Sequence, residues 1–522
     1  MTHTQPHIAV IGAGMGGLAS AIRLAAAGAR ITLIEAAPGP GGKMRTVPSA
    51  AGPVDAGPTV LTMRGHFDDL FAMADEHLDD HVTLHAEPVL ARHWGPDGTM
   101  LDLFADREAS VAAIADFAGR REAEAFQRFA HDAKRLFTAF DQPMMRAPVP
   151  KLASQAAAVL KDPGLVPAMA PLSTLAGKLA RTFRDPRLRQ LFGRYATYVG
   201  GHPGLSPAVL QLIWHAEASG VWRVEGGMHR LAEALADLAE RLGVAFLYGT
   251  AVERLEIQQS RVSAVCAKGG QRIAVDGAVF NGDPRALRTG LLGPATSAAV
   301  TKSAVSPRSL SARVWSFAAE AQGPELIHHN VFFGHDPERE FGPITKGEAP
   351  EDPTLYICAE DRGHDATTPA LERFEIIENA APDDTEHEKE RDICRTRVFD
   401  RLADFGLTFT PRPLPEAVTI PADFDRMFPA SLGSLYGRSP HGMMASFQRP
   451  TARTTTPGLY LAGGGAHPGA GIAMAALSGL HAAGAIAEDL ALSSRSRPMA
   501  MPGGISTASP MMAVKPSRSS PS

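Results

Sequence analysis

Hydrophobic and polar positions along this chain switch between the strand period and the helix period. The first apolar run, Ile8–Ile11, leads into a glycine-rich turn, Gly12–Gly17, and then an Ala-rich stretch, Leu18–Ala27, with helical spacing that Gly28 ends. A second apolar run, Ile31–Glu35, comes next. Strand, turn, helix and strand in this order predict a parallel, doubly wound sheet. From about Phe67 to His215 the pattern is mostly helical, with charged faces such as Arg120–Arg128. An amphipathic helix over Leu231–Leu242 gives way to short alternating strands between Val244 and Phe280. The stretch from about Asp283 to Met444 is mixed, with strand-like pieces at Ser311–Phe317 and Leu355–Ala359. Leu459–Ala462 reads as a last strand, running into a second glycine-rich turn and the Ala-rich helix Ala473–Leu492. Beyond it, Ser493–Ser522 lacks the periodic apolar content that offsets chain entropy, and is expected to be disordered.

Length sharpens this picture. A chain of 522 residues is long for one core and natural for two domains. The expected class is α/β: a doubly wound, Rossmann-like dinucleotide domain built from distant segments (1–75, 216–290 and 445–492), plus a mixed α+β substrate domain (76–215 and 291–444). Net charge is only −5, and no clustered basic stripe is visible, so a nucleic-acid partner is not expected. Cys266, Cys358 and Cys394 are widely spaced without a C-x-x-C pair. This argues against a disulfide framework and a structural metal site, and fits a reducing cytoplasm. No charged leader with a long apolar core opens the chain, and no stretch reaches a membrane-spanning length of apolar residues.

The candidate chemistry lies in the glycine-rich turns. Gly12-Ala13-Gly14-Met15-Gly16-Gly17 matches G-x-G-x-x-G, succeeds a strand, opens a helix, and precedes an acid, Glu35, at the end of the next strand. Gly12 allows the tight turn, Gly14 lets backbone approach a pyrophosphate, and Gly17 permits close packing of helix on strand. The N-terminus of that helix stabilises phosphate charge, Met15 is a candidate contact within the turn before it, and Glu35 can accept from ribose hydroxyls. In the next segment, Gly41 and Gly42 let a loop close over a cofactor, while Lys43 or Arg45 can neutralise phosphate. Near the other end, Gly463-Gly464-Gly465 and Gly469-Ala470-Gly471-Ile472 again join a strand to a helix start. Both ends of the chain are therefore expected to build one site, with Gly464, Gly471 and Ile472 in its wall.

Taken together, these motifs resemble the phytoene-desaturase-type family of FAD-containing carotenoid desaturases, from about Ile8 to Leu492. The stretch Gly41–Thr46 resembles the G-G-[KR]-x-x-T/S segment of flavoproteins, and Asp55-Ala56-Gly57-Pro58 the D-x-G-x turn that they place beside the flavin. Glu225-Gly226-Gly227-Met228 resembles P-x-G-G-M, and Asn281-Gly282-Asp283-Pro284 the N-A-D-P turn. The resemblance implies FAD as cofactor, with the backbone at Val252 meeting the adenine. Three stretches, Glu35–Thr46, Asp55–Thr62 and Gly463–Met474, look most like the branch acting on hydroxy- and methoxyneurosporene. Gly464, Ala466, Ala473 and Met474 depart from the phytoene type.

The same resemblance implies that two hydrogens are removed across C3–C4 of a 1-hydroxy or 1-methoxy carotenoid, with hydride passing to the flavin and oxygen or quinone as final acceptor. C4 is allylic to the polyene, so no strong base is required and none is named; His202, His215 and Glu217 read as structural. The substrate is nearly insoluble, which implies a peripheral membrane contact. A candidate is Pro171–Phe183, where Leu172, Leu175, Ala176, Leu179 and Phe183 recur at helical spacing among basic residues. Phytoene desaturase, another FAD oxidoreductase of amine-oxidase-like architecture, a carotenoid ketolase and a non-catalytic relative stay open as alternatives.

Overall fold

The computed structural model describes residues 5–363 and 368–491, so the tail 493–522 lies outside the described residues. Its central sheet has five parallel strands, in the order Leu459–Leu461, Gly277–Phe280, His7–Ile11, Arg30–Ile34 and Ala245–Leu247. Ile8, Ala9 and Val10 are all fully buried, as a parallel sheet covered on both faces requires. Ile8 and Val10 pack against helices Met15–Ala26, His229–Arg241 and Ile472–Asp489. Ala9 and Ile11 point the other way, towards an antiparallel meander, Val252–Gln258, Arg261–Ala267 and Arg272–Ala274. The first and last helices meet backbone to backbone: a Cβ on Gly479 would lie 2.1 Å from the Gly16 carbonyl oxygen. The two ends of the chain are thus one packed unit.

A second, eight-stranded sheet is mixed. Its order is Thr408–Thr410, Ser311–Gln322, Glu372–Ala380, Leu355–Ala359, His329–Phe332, Val89–Trp94 and Met100–Phe104, with Val418–Thr419 also paired to Ser311–Gln322. One face buries Trp315, Phe317 and Phe374 against helix Glu390–Asp404. A helical layer, including Arg120–Phe140, Leu175–Thr182 and Pro186–Gly193, packs around Phe126, Phe129, Phe183, Phe192 and Trp214.

Two expectations are corrected here. The hairpin Val89–Trp94 and Met100–Phe104 falls in a stretch expected to be mostly helical; its cue is the turn Gly95-Pro96-Asp97-Gly98 between two apolar runs. The stripe in Pro171–Phe183 is core: Leu175 and Leu179 are fully buried and Phe183 is stacked on Phe192 at 5.1 Å. Lys178 pairs with Asp132 at 3.2 Å, and Arg181 donates to Ser173. Leu172, at 94 % exposure, faces outward, and Ala176 is also exposed. Among the described residues no helix is long and apolar enough to cross a membrane.

Candidate functional site

The strand His7–Ile11 ends where Gly12 turns the chain at φ +101°, and helix Met15–Ala26 starts shortly after, capped by Gly14. Gly17 is a packing glycine: a Cβ there would sit 2.0 Å from the Gly12 carbonyl oxygen. Glu35 closes the turn from the neighbouring strand, accepting from the Ala13 N–H at 2.6 Å and the Ala37 N–H at 2.7 Å. Its remaining lone pairs stay available to a ligand. The loop Gly41–Met44 is laid on this turn through the Gly41 N–H, which donates to the Ala13 carbonyl. Gly57 in turn packs on the Lys43 carbonyl, where a Cβ would come within 2.0 Å. Asp55 anchors that segment by accepting from the Met228 N–H at 2.6 Å, at the start of helix His229–Arg241. Burial raises its pKa, opposed by those backbone donors.

From the far end of the chain, Gly463–Gly465 joins the same wall. A Cβ on Gly16 would lie 2.5 Å from the Gly463 nitrogen. Asn281 sits between the two turns: its Nδ2 donates to the Gly12 carbonyl at 3.2 Å, and its Oδ1 is buried without a partner among the described residues. Arg449 ties the last turn down, donating to the carbonyls of Gly464 at 2.6 Å and Tyr436 at 2.8 Å. Burial lowers its pKa to about 10. Lys43 reaches the Leu435 carbonyl, and burial lowers it to about 8, with Asp283 opposing and Arg308 and Arg449 adding to the shift.

Gly12, Gly14, Met15, Glu35, Gly42, Lys43, Val252, Gly464, Gly471 and Ile472 all line one cavity of about 860 Å³. Gly17 does not line it, being packed against the Gly12 backbone. Arg45 does not either: its guanidinium donates to Thr419 at 2.7 Å and lies beside Glu375 and Asp423. A phosphate role for Arg45 is therefore not supported by this geometry, while Lys43 lines the cavity. Two helices, Met15–Ala26 and Ile472–Asp489, begin in the cavity wall, a favourable setting for anionic groups. Open glycine turns, an acid at the strand end, a buried lysine and an unpartnered amide oxygen fit a dinucleotide such as a flavin cofactor. Sequence alone does not single out Asn281 or Arg449 as site residues; only the N-x-D-P turn hints at the first.

The cavity continues past the cradle over the face of the eight-stranded sheet that the helical layer covers. Strand register sets its floor in rows. Val314, Ile377, Tyr356 and Val331 lie side by side across the strands, and Ala312 and Asn379 form part of the next row out. Over the floor come Ala176, Gly193, Tyr198 and His202 from the helical layer, and Phe341 from helix Pro337–Thr345. His202 is thus a wall residue, its ring 4.8 Å from that of Phe341. Glu217 lies deeper, accepting from Tyr195 and Tyr198 and pairing with Arg194 at 3.3 Å. His215 packs edge-on to Phe137, away from the cavity. Outside the cavity, His328, His329 and Cys358 are buried with ligand-type atoms within 4.8 Å of one another, and the two imidazoles are oriented by Ala359 and Tyr356.

Comparison with known proteins agrees with this geometry. Residues 15–487 match the family described as flavin containing amine oxidoreductase. The chain is 58 % identical over 495 residues to the hydroxyneurosporene desaturase of Cereibacter sphaeroides, covering 95 % of this chain and 100 % of the relative. It is 54 % identical over 486 residues to the hydroxyneurosporene desaturase of Rhodobacter capsulatus, covering 93 % and 98 %. In fold it is similar to cyclohexylamine oxidase from Brevibacterium oxydans, with a TM-score of 0.56 at 17 % identity, covering 94 % and 100 %.

Proposed function

The chain belongs to the flavin containing amine oxidoreductase family, and from that premise we propose that it is an FAD-dependent carotenoid desaturase of carotenoid biosynthesis, forming the C3–C4 double bond of 1-hydroxy or 1-methoxy carotenoids. The observation that carries this reading is the single cavity that joins the glycine cradle to the apolar sheet floor. A two-electron cofactor and a long apolar chain can share such a space. FAD would be held by the backbone of Gly12–Met15 and Gly464–Ile472, with Glu35 on a ribose, Lys43 on phosphate and Val252 by the adenine. When bound, the flavin accepts the hydride lost from the carotenoid, and oxygen or quinone takes the electrons in turn. The protein's own work is positional. The floor row holds the apolar chain, and the walls exclude water while an allylic cation develops. The C3–H of that cation is strongly acidic, and its proton passes to a water molecule at the cavity mouth, so no side chain is assigned as a dedicated base.

The substrate's insolubility calls for peripheral attachment to a membrane surface. The exposed apolar residues of the helical layer support where this occurs. Val149, Leu152, Leu160, Val166 and Leu172 are 45–94 % exposed, and helix Leu152–Lys161 buries none of its residues. Lys151 and Lys161, both exposed, flank that helix and suit an anionic surface. The segment leads directly into helix Leu175–Thr182, whose Ala176 lines the cavity.

The test of the reading is a side-by-side assay of 1-hydroxyneurosporene and phytoene with quinone or oxygen, tracking the red shift of each new conjugated double bond. Conversion of the hydroxylated carotenoid is expected, with phytoene a poor substrate. Equal conversion of phytoene would overturn the substrate assignment.

A further inference from the structure

Resting on the desaturase reading, we propose that Glu340, held by Thr354 and Asn379, binds the oxygen on C1 of the substrate and so sets the preference for hydroxylated and methoxylated carotenoids. The floor and wall around this point are apolar: Ala312, Val314, Val331, Phe333, Phe341 and Ile377. Within them Glu340 projects from helix Pro337–Thr345, only 2 % exposed yet lining the cavity. Thr354 Oγ1 donates to one carboxyl oxygen at 2.7 Å, and Asn379 Nδ2 donates to the other at 2.9 Å. Both partners also line the cavity.

A buried carboxyl in an apolar wall is costly unless its bonding capacity is used. Thr354 also donates through its backbone N–H, so three donors meet the roughly four lone-pair sites of a carboxylate and leave about one open towards the cavity. The donors also fix the direction of the open side. Burial pushes Glu340 up to about 7, with Asn379 and Thr354 opposing and Glu378 adding to the rise. The charged and titratable groups around it are Glu378 on the strand, Asp336 and Glu338 on its own helix, and His202 from the opposite wall. Near neutral pH both forms of Glu340 are therefore accessible. The carboxylate accepts the proton of a C1 hydroxyl; the acid donates to a C1 ether oxygen, which has no proton to give. One side chain serves both substrate classes.

Its place along the floor fits the reacting bond. Asn379 lies two residues beyond Ile377, a step of roughly 7 Å along a strand. Ile377 pairs with Tyr356, whose hydroxyl meets the Thr59 side chain. Thr59 directly follows the Asp55–Pro58 turn that the family resemblance puts beside the flavin. Only a few bonds separate the C1 oxygen from C3–C4. An oxygen held by Glu340 thus leaves the reacting carbons over the Tyr356 row.

A purely structural Glu340, tying its helix to the sheet, would affect all substrates alike. The experiment compares kcat/KM for 1-hydroxyneurosporene and for neurosporene, which carries a C1=C2 double bond in place of the hydroxylated C1, in wild type, Glu340→Met and Glu340→Gln. It adds micellar binding constants for the hydroxylated carotenoid. Glu340→Met is expected to cut the preference about a hundredfold, with weaker binding of the hydroxylated carotenoid and faster turnover of neurosporene, because no buried carboxyl then waits for an oxygen that neurosporene lacks. Glu340→Gln keeps the shape and is expected to cut it about tenfold, which keeps the test decisive if the Met variant fails to fold. An unchanged ratio, with both substrates falling by one factor, overturns the assignment alone. A wild-type enzyme that converts neither carotenoid overturns the desaturase reading itself.

Discussion

At the cradle end of the cavity the wall is mainly backbone: Gly12, Gly14, Gly42, Gly464 and Gly471, with helix N-termini behind them. At the sheet end it is side chains whose neighbours come from strands tens or hundreds of residues apart, such as Val314, Ile377, Tyr356 and Val331. The first end has little freedom, because a pyrophosphate must meet peptide N–H groups at close range. The second can be retuned by single substitutions without touching a turn. A fold built in this way keeps one redox cofactor while its substrate changes. Cyclohexylamine oxidase from Brevibacterium oxydans shares the architecture at 17 % identity.

If the two ends differ in this way, the largest effects come from the backbone end. Gly14→Val adds a branched side chain in the cavity wall, where even a Cβ would lie 3.0 Å from Asn281 Nδ2. Folded protein is expected with flavin affinity reduced at least about a hundredfold, read from flavin absorbance after dialysis. A variant that keeps its flavin would remove the first turn from the site. Next in size is Leu179→Asp. This side chain is fully buried among Phe129, Phe183 and Phe192, so the variant loses apolar burial and gains an unpaired buried acid. A loss of about 4 kcal/mol is expected in denaturant unfolding. Near-wild-type stability would return the stripe at Pro171–Phe183 to the surface.

The same contrast explains which features are legible in the sequence. Strand, turn, helix and acid lie within Ile8–Glu35, so local spacing alone carries the dinucleotide turn. The parallel sheet is legible in the same alternation, and its boundaries shift by only a residue or two. Asn281 is a different matter, since its importance arises from standing between Gly12 and Gly463, which are far from it in sequence. Arg45 shows the converse. Its motif context points to phosphate, but the loop turns its side chain towards Thr419. Glu340, Thr354 and Asn379 share no motif; strand register and one helix bring them together. Leu175 and Leu179 mislead for a related reason. An amphipathic stripe records that one helix face is apolar, not whether protein or lipid covers it.

That ambiguity can be resolved by the smallest expected effect on stability. Leu160 and Leu172 are 82 % and 94 % exposed, so replacing both by Asp removes almost no packing. Unfolding free energy is expected to stay within about 0.5 kcal/mol for each change. Flavin content should also stay, because neither residue lines the cavity. Binding to anionic vesicles should nevertheless fall at least about tenfold, since two apolar anchors are lost and two negative charges now face a negative surface. Leu179→Asp offers the opposite pattern: stability collapses, and vesicle binding changes only as folding does. If the exposed pair leaves vesicle binding intact, the segment 149–172 is not the membrane face, and the carotenoid reaches the cavity by another side of the helical layer.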